Sequence, residues 1–427
     1  MGQTYDLVIV GAGPAGLMAA KIAGEKHLHV ALIERRKDIT NWTRADCMMF
    51  YGLEEELIGE NIRVEVGKII FPRNGFEVKY TGALYPLYHQ RVFSPCGHRI
   101  DFSSRYPIAI VFDKESLLKD LLGEVEKLGV TLFPGTLGIK AENVQGGAKV
   151  LLKRDGKESW IEAKKVIAAD GINSRITDSI GLNKGRTFMG TYKVIQYIME
   201  GVENPFPNSW VQFYGKSISS FAPPHFLQTA NGERLQRLGF IKPAPGNPEE
   251  DLKNFLKEGP YVSWFAKAKV AYKMGVSVKA SMPIERPVMQ NVLAIGDTAA
   301  LAEVENQGAL MCGYHAAHAV IKELEGGDGF ETYIDWWRRS FEFFTPEISH
   351  LQNYTINAYY EDEEVDYLFS LVQGETLEGT VNQYKFPKKL WEAILRHKER
   401  IKKERPELSQ KIENLHKRTI QEAYTVD

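Results

Sequence analysis

Three stretches of this 427-residue chain combine residue types and spacings that could do chemistry. The first is Gly11-Ala12-Gly13-Pro14-Ala15-Gly16, followed further on by Glu34-Arg35-Arg36. A glycine at 11 allows a tight turn, one at 13 lets a pyrophosphate approach the backbone, and one at 16 lets a helix pack closely on a strand. A helix starting at Pro14 and Ala15 would aim its free N–H groups at the phosphates, and Glu34 would accept hydrogen bonds from ribose hydroxyls. That chemistry is the binding of an ADP moiety, whether of FAD or of NAD. Arg35 and Arg36 read either as solvated charge or as contacts to the cofactor's phosphates.

The second stretch, residues 165–175, is a buried strand that delivers Asp170-Gly171 and then small polar and basic residues. The third, residues 291–300, is a buried strand that ends in Gly296-Asp297. Asp-Gly and Gly-Asp are common turns, so each gains meaning only in company with the first stretch. Cys47 stands in Arg44-Ala45-Asp46-Cys47-Met48, and on local sequence alone it reads as a small buried hydrophobe sooner than as a reactive thiol.

These groups need elements to position them. Residues 5–10 form an apolar, β-branched run expected as a buried parallel strand, residues 17–22 continue as a helix, and residues 29–33 make the next strand. From 69 to 101, short strands and turns read as an excursion out of the nucleotide domain. That domain resumes with a strand at 108–111, a helix over 114–128 and a strand at 129–133. A hairpin is expected around Asp155-Gly156. Residues 191–198 and 210–214 are strands by their β-branched and aromatic content, and 235–241 and 276–282 add two more. A helix is expected to begin near Gly308. From 330 onward the pattern is helical, with 359–364 a solvated acidic patch and 388–418 a charged surface helix or a peripheral membrane contact.

Hydrophobic content of 44% and charged content of 25% fit a folded globular chain of two or three domains. A net charge of -2 gives no reason to invoke nucleic acid. No run is long enough to span a bilayer and no leader is read before the first strand, so a cytoplasmic location is expected. Cys47, Cys96 and Cys312 cannot supply the four thiolates of an iron–sulfur cluster. His225, His315 and His318 form no recognisable metal-ligand set, and no metal is expected.

Taken together, in this order and spacing, the three stretches resemble the FAD-dependent oxidoreductases that include aromatic hydroxylases and geranylgeranyl reductases. The resemblance spans residues 5–324. It implies FAD as cofactor, with Asp297 on the ribityl chain and with Gly296 and Asp170 in the same binding set. It also implies that the helix from Gly308 and Ala309 points its positive end at the flavin pyrimidine. Tyr214-Gly215-Lys216-Ser217-Ile218-Ser219, followed by Pro223-Pro224-His225-Phe226-Leu227, looks like the segment that lines the lipid pocket of geranylgeranyl reductases. Cys47 sits where those enzymes often carry a cysteine close to the flavin. The chain departs from the family pattern at Val304, which replaces a proline, and at Glu303 and Glu305 in the loop before Gly308. Thr177 stands where hydroxylases carry an arginine, which weakens an expectation of direct NADPH use.

The fold so implied is α/β. A Rossmann-like FAD-binding domain of glutathione reductase type is assembled from residues 1–75, 105–184 and 286–329. A mostly antiparallel β-sheet substrate domain comes from 76–104 and 185–285, and a helical C-terminal region from 330–427. The implied activity is a reductase that saturates carbon–carbon double bonds of a prenyl or other hydrophobic substrate. Hydride would come from reduced FAD and a proton from Cys47, Glu303 or Glu305. Reduced ferredoxin or NAD(P)H would supply electrons, and peripheral membrane association is compatible with the tail. Two other readings share the scaffold: an NAD(P)H-dependent aromatic monooxygenase, and an electron-transfer flavoprotein without substrate chemistry of its own.

Overall fold

The computed structural model describes residues 4–53, 56–301, 303–344, 352–379, 386–415 and 417. Its nucleotide domain grows from the Thr4–Val10 strand. That strand pairs in parallel with Val30–Glu34 on one side and with Lys157–Ala168 on the other. Thr131–Pro134 extends the sheet beyond Val30–Glu34, and Val292–Ala294 extends it beyond the end of Lys157–Ala168, both in parallel. Every residue of Val30–Glu34 is buried, as a parallel strand covered on both faces must be. The first half of Lys157–Ala168 runs antiparallel to Gly147–Arg154, which pairs with Leu137–Val144. The turn of this hairpin holds Asp155 at φ 48 and Gly156 at φ 79, the left-handed pair that matches strand twist in a two-residue loop. This is the Rossmann-like α/β sheet that the glycine pattern implies.

Two helices meet across this domain with almost no space between them. A Cβ on Gly313, in the Glu305–Leu324 helix, would lie 2.3 Å from the carbonyl oxygen of Ala15 in the Pro14–Glu25 helix. The Glu305–Leu324 helix begins earlier than the start expected near Gly308. Glu305, Asn306 and Gln307 contain no helix breaker, and packing buries all three.

The large second sheet runs, in spatial order, Lys269–Ser281, Phe188–Glu200, Gly232–Pro243, His225–Thr229, Ser209–Phe213, His89–Phe93, Arg99–Ser103 and Thr376–Glu378. It is antiparallel except where Ser209–Phe213 meets His89–Phe93 and where Arg99–Ser103 meets Thr376–Glu378. Its two faces differ. On one, Val211, Phe213, Phe226, Leu238 and Phe240 form an aromatic core with Phe255, Tyr261 and Phe265. On the other, Leu227 and Trp210 pack toward the nucleotide domain. Phe76–Lys79 belongs to neither large sheet; it pairs with Lys68–Phe71 in a small separate one.

The C-terminal region is helical but also lends Thr376–Glu378 to the large sheet. The acidic run at 359–364 does more than face solvent. Glu361 and Glu364 form a capping box at the start of Asp362–Ser370, and Glu364 pairs with Lys411 at 2.5 Å. The basic stretch from 388 is broken into Phe386–Leu395, Lys398–Glu404 and Pro406–Leu415, the second break falling at Pro406, which cannot continue a helix; residue 418 and the tail beyond lie outside the described residues. Among the described residues, no helix is long and apolar enough to cross a membrane.

The close helix crossing gives the first prediction. Gly313→Val should force the helices at 14–25 and 305–324 apart and destabilise the protein by about 1–3 kcal/mol. Urea unfolding of the variant beside the parent would measure it, and an unchanged midpoint would contradict the backbone-to-backbone contact.

Candidate active site

The nucleotide cradle is built from backbone. Gly11 has φ 105, and a Cβ there would lie 2.2 Å from the carbonyl oxygen of Ala169. A Cβ on Gly16 would strike the carbonyl oxygen of Gly11. At Gly13 the situation is reversed: a Cβ would meet nothing within 4 Å, so the start of the helix lies open on that side. Gly13 is its N-cap and no side chain caps the first turn. Unpaired N–H groups beside an open backbone are what a pyrophosphate requires, and these residues fit FAD.

Glu34 closes the cradle. Its Oε2 accepts from the Ala12 N–H at 2.8 Å, and its Oε1 accepts from the Arg36 N–H at 2.9 Å and from Arg36 Nε at 3.0 Å. Burial opposes its ionisation, but the Arg36 fork and the two N–H groups outweigh it and hold the carboxyl below its usual range. Arg35 is exposed. Asp170 is occupied structurally: it accepts from Ser174 Oγ at 2.6 Å and from the Arg175 N–H at 2.9 Å, at the start of the Arg175–Ser179 turn. Asp297, next to Gly296 at φ 64, accepts from the Val304 N–H at 3.0 Å, and burial raises its pKa. Gly308 is buried because a Cβ there would press on Ile58, Val304 and Phe341; Ala309 beside it is half-buried.

Near the start of the Glu305–Leu324 helix, residues from distant parts of the chain converge on Cys47. Its Sγ lies 3.1 Å from Glu305 Oε2, and Asn306 Nδ2 donates toward the same sulfur at 3.7 Å. The buried Tyr51 phenol is coupled electrostatically to the thiol as well. Asp46 bonds Lys114 through Oδ2, and its Oδ1 accepts from the Met48 N–H at 2.8 Å and from Asn306 Nδ2 at 3.2 Å. The large sheet grips the same loop from the other side. Arg237 donates to the carbonyl oxygens of Asp46 and Cys47, and Gln196 Nε2 donates to that of Asp46 at 3.1 Å.

Charge tunes each group. Burial would raise Asp46, yet the Lys114 ammonium and the hydrogen bonds bring its pKa down to about 2. Burial, with the charges of Asp46 and Asp297 adding to it, pushes Glu305 up to about 7. Cys47 is raised well above the ordinary thiol range, first by burial and then by the carboxylates of Glu305, Asp46 and Glu303. Glu303 reaches solvent at the lip of the site, and the charge of Glu305 raises its pKa. The two carboxyls of the departing loop therefore separate into an inner Glu305 against Cys47 and an outer Glu303. The set can hold a proton near neutrality, on Glu305 and on the thiol, beside an ionised Asp46 that cannot donate one.

Asp46, Tyr51, Lys114, Asn306 and Arg237 carry no motif, and sequence reasoning missed them. Asp46 could have been suspected from its place beside Cys47. Lys114 could have been suspected as a lysine that opens a helix two residues after a buried strand. Arg237 had no signal at all. Arg44, also passed over, sits near Gly171 and acts electrostatically on Asp297 and Glu303. Among the described residues, no group of histidine, cysteine and carboxylate side chains could hold a metal ion.

An open-backed glycine cradle and a half-buried aspartate after a strand–Gly-Asp turn define a flavin-binding protein. The chain belongs to the FAD binding domain family, which matches residues 4–223, more than half of its length. Its cofactor is FAD, and it is an FAD-dependent oxidoreductase. It is similar to the digeranylgeranylglycerophospholipid reductase of Methanothrix thermoacetophila, at 26% identity over 418 residues covering 92% of this chain and 98% of the relative. It is similar also to the enzyme of that name from Methanosarcina acetivorans, at 24% identity over 389 residues covering 86% and 88%. The fold matches a geranylgeranyl bacteriochlorophyll reductase-like protein of Thermoplasma acidophilum with a TM-score of 0.71 at 20% identity, over 97% of this chain and 99% of that one. A p-nitrophenol 4-monooxygenase of Pseudomonas putida shares the fold at a TM-score of 0.63 and 16% identity, over 93% and 98%.

The raised Glu305 makes stability depend on pH in a stated direction. Its pKa is about 7 in the folded protein against 4.5 ordinarily, so the folded state holds the proton more tightly. The stability this confers is fully present below about pH 4.5 and is lost as pH rises through about 7, amounting at most to about 3 kcal/mol. Urea unfolding of the parent and of Glu305→Gln across that window should show a decline in the parent that the variant lacks.

Proposed function

We propose that this chain reduces carbon–carbon double bonds of a prenyl lipid or a similar hydrophobic molecule. The observation that carries the reading is the Cys47–Glu305 contact, 3.1 Å long and enclosed between the nucleotide domain and the large sheet. The relatives named digeranylgeranylglycerophospholipid reductase, which this chain covers nearly end to end, support the same chemistry. Gly11, Gly13, Pro14, Ala15 and Gly16 would hold the pyrophosphate of FAD. Glu34 and Arg36 would hold the adenosine ribose, Asp170, Gly296 and Asp297 would lie along the ribityl side, and Gly308 and Ala309 would lie under the ring. Reduced FAD supplies a hydride when it is bound there.

The chain's own residues supply the proton and the enclosure. Glu305 stores a proton at neutral pH and touches the Cys47 thiol, so either can present a proton to a carbon atom on that side. Lys114 keeps Asp46 ionised, which fixes the loop without offering a competing acid. Glu303, exposed at the lip, would exchange protons with solvent and return them to Glu305. The uncapped start of the Glu305–Leu324 helix would offer partial positive charge to the negative charge that gathers on a reduced flavin. Electrons would arrive from reduced ferredoxin or NAD(P)H, and the basic helices near the C-terminus would hold the enzyme against a membrane surface that carries the substrate.

The decisive experiment is anaerobic. Enzyme reduced with dithionite and mixed with a geranylgeranyl lipid should reoxidise, with each saturated double bond adding two hydrogens to the product mass. Flavin that stays reduced until air enters would end this reading. In the same assay Glu305→Gln should slow turnover by about 100-fold, within the range for loss of a general acid, and Cys47→Ser should slow it less. Full rates in both variants would remove the pair as proton source.

A further inference from the structure

Arg237 is a buried cation without a carboxylate of its own. It is 1% exposed, and among the described residues it forms no ion pair. Its fork donates instead to two backbone carbonyls, Nη1 to that of Asp46 at 2.9 Å and Nη2 to that of Cys47, while Nε is shut away without a partner. A tether to this loop does not need a charge. Gln196 donates to the same Asp46 carbonyl at 3.1 Å and accepts from the Asp46 N–H at 3.3 Å, all with a neutral amide. Burying a guanidinium without a matching anion is costly, so a second reason is needed where an amide would serve.

The other charges near the loop are already matched. Lys114 pairs with Asp46, and Arg44 acts on Asp297 and Glu303. His225, on the strand beside Arg237, stays neutral, its pKa pushed down to about 3 by burial and by the guanidinium charge. Burial opposes the charge on Arg237 itself. The groups whose negative charge would favour it are, in order, Cys47, Asp46, Tyr51 and Tyr272. The sulfur is close by necessity: covalent geometry keeps it within about 5 Å of the Cys47 carbonyl oxygen to which Arg237 donates, hence within about 8 Å of the guanidinium.

We propose, on the reductase reading above, that Arg237 is the counter-ion for the anion left when the Cys47–Glu305 pair gives up its proton. In the proton-loaded pair, thiol and carboxyl are both neutral. The electron pair of the double bond forms a C–H bond with one of these protons, as hydride from reduced FAD bonds the other carbon. One negative charge then remains on the pair. It settles on sulfur or on Glu305, whose own proton can cross the 3.1 Å contact to the thiolate. Asp46 beside the thiol and Glu303 at the lip repel this charge, and Lys114 is committed elsewhere. Arg237 is positive and fixed before the proton moves, so its attraction needs no reorganisation during the step. At about 8 Å and an effective dielectric of about 20, a unit charge shifts an acid by roughly one to two pKa units. Arg237 acts through Cys47 and is a positioning residue.

The test reads thiol and turnover separately. The FAD-loaded parent, Arg237→Gln and Arg237→Lys all carry Cys96→Ser to silence the exposed thiol. Each is treated with methyl methanethiosulfonate from about pH 8 to 11, and Cys47 modification is followed by peptide mass. Glutamine keeps an amide donor for the carbonyls without the charge, and lysine keeps the charge. Arg237→Gln should raise the pH of half-maximal modification by about one unit or more, and slow modification about tenfold below it. Arg237→Lys should stay within about threefold of the parent. In the anaerobic reduction of a geranylgeranyl lipid, the glutamine variant should lose about tenfold in kcat with KM little changed, and lysine should restore most of it. Thiols that titrate alike in the parent and the glutamine variant would overturn the counter-ion, as would equal losses in both variants. If the glutamine variant does not fold, the lysine variant decides alone: a rate within about threefold supports the counter-ion and a tenfold loss overturns it. A charge-dependent thiol in an enzyme that saturates no double bond supports the counter-ion and removes the reductase reading; reduction with an indifferent thiol does the reverse.

Discussion

The arrangement around Cys47 depends on one buried ion pair, Asp46 with Lys114. Lys114 is only 4% exposed, so both charges have surrendered most of their water, and only close contact and further hydrogen bonds offset that loss. Both are present. Asp46 uses its second oxygen for the Met48 N–H and Asn306, and the Lys114 ammonium rests 4.0 Å from the centre of the Trp42 ring. The pair joins the Lys114–Lys127 helix to the loop, Asn306 joins the loop to the Glu305–Leu324 helix, and Arg237 joins it to the large sheet. Cys47 takes its place from these neighbours.

The same convergence explains why the site's acids behave unlike surface groups. Carboxyls from three parts of the chain share a small volume, and the one directly paired with a cation takes the negative charge. Lys114 gives Asp46 that role, and Glu305 yields by keeping its proton. The backbone is forced as well: Met48 and Glu305 both sit at positive φ, 49 and 59, on opposite sides of the Cys47–Glu305 contact. Left-handed non-glycine residues cost on the order of 1–3 kcal/mol each, and they persist where surrounding contacts over-determine them. Here those contacts are the ones that bring thiol and carboxyl together.

The large sheet divides its labour by the alternation of its strands. Odd and even positions point to opposite faces, so Val211 and Phe213 feed the aromatic core while Trp210 and Gln212 look toward the nucleotide domain. A change of register by one residue would exchange the faces and send the polar groups into the aromatic core. The aromatic content that marks these strands in the sequence belongs mainly to the packing face, which is why it says little about what the other face binds.

The nucleotide domain was legible in the sequence because its constraints are local. Gly11 needs a positive φ, Gly13 an open backbone and Gly16 a close approach, and each lies within a few residues of the others, so spacing alone encodes them. The hairpin at Asp155-Gly156 and the strand alternation are local for the same reason. The departures at Glu303 and Glu305 could be noticed in the sequence, but not which carboxyl turns inward. That choice depends on a helix that begins at Glu305 and on Cys47 arriving from a loop more than two hundred and fifty residues away along the chain. Lys114, Arg237 and Tyr51 left no pattern, because a salt bridge or a tether needs only one suitable side chain at one point in space. The sequence by itself determined the fold of the cofactor domain and the cofactor, through short-range backbone geometry. Tertiary structure alone decided which acid faces the thiol and what stands opposite it, because those contacts join residues whose separation along the chain carries no information about their distance in space.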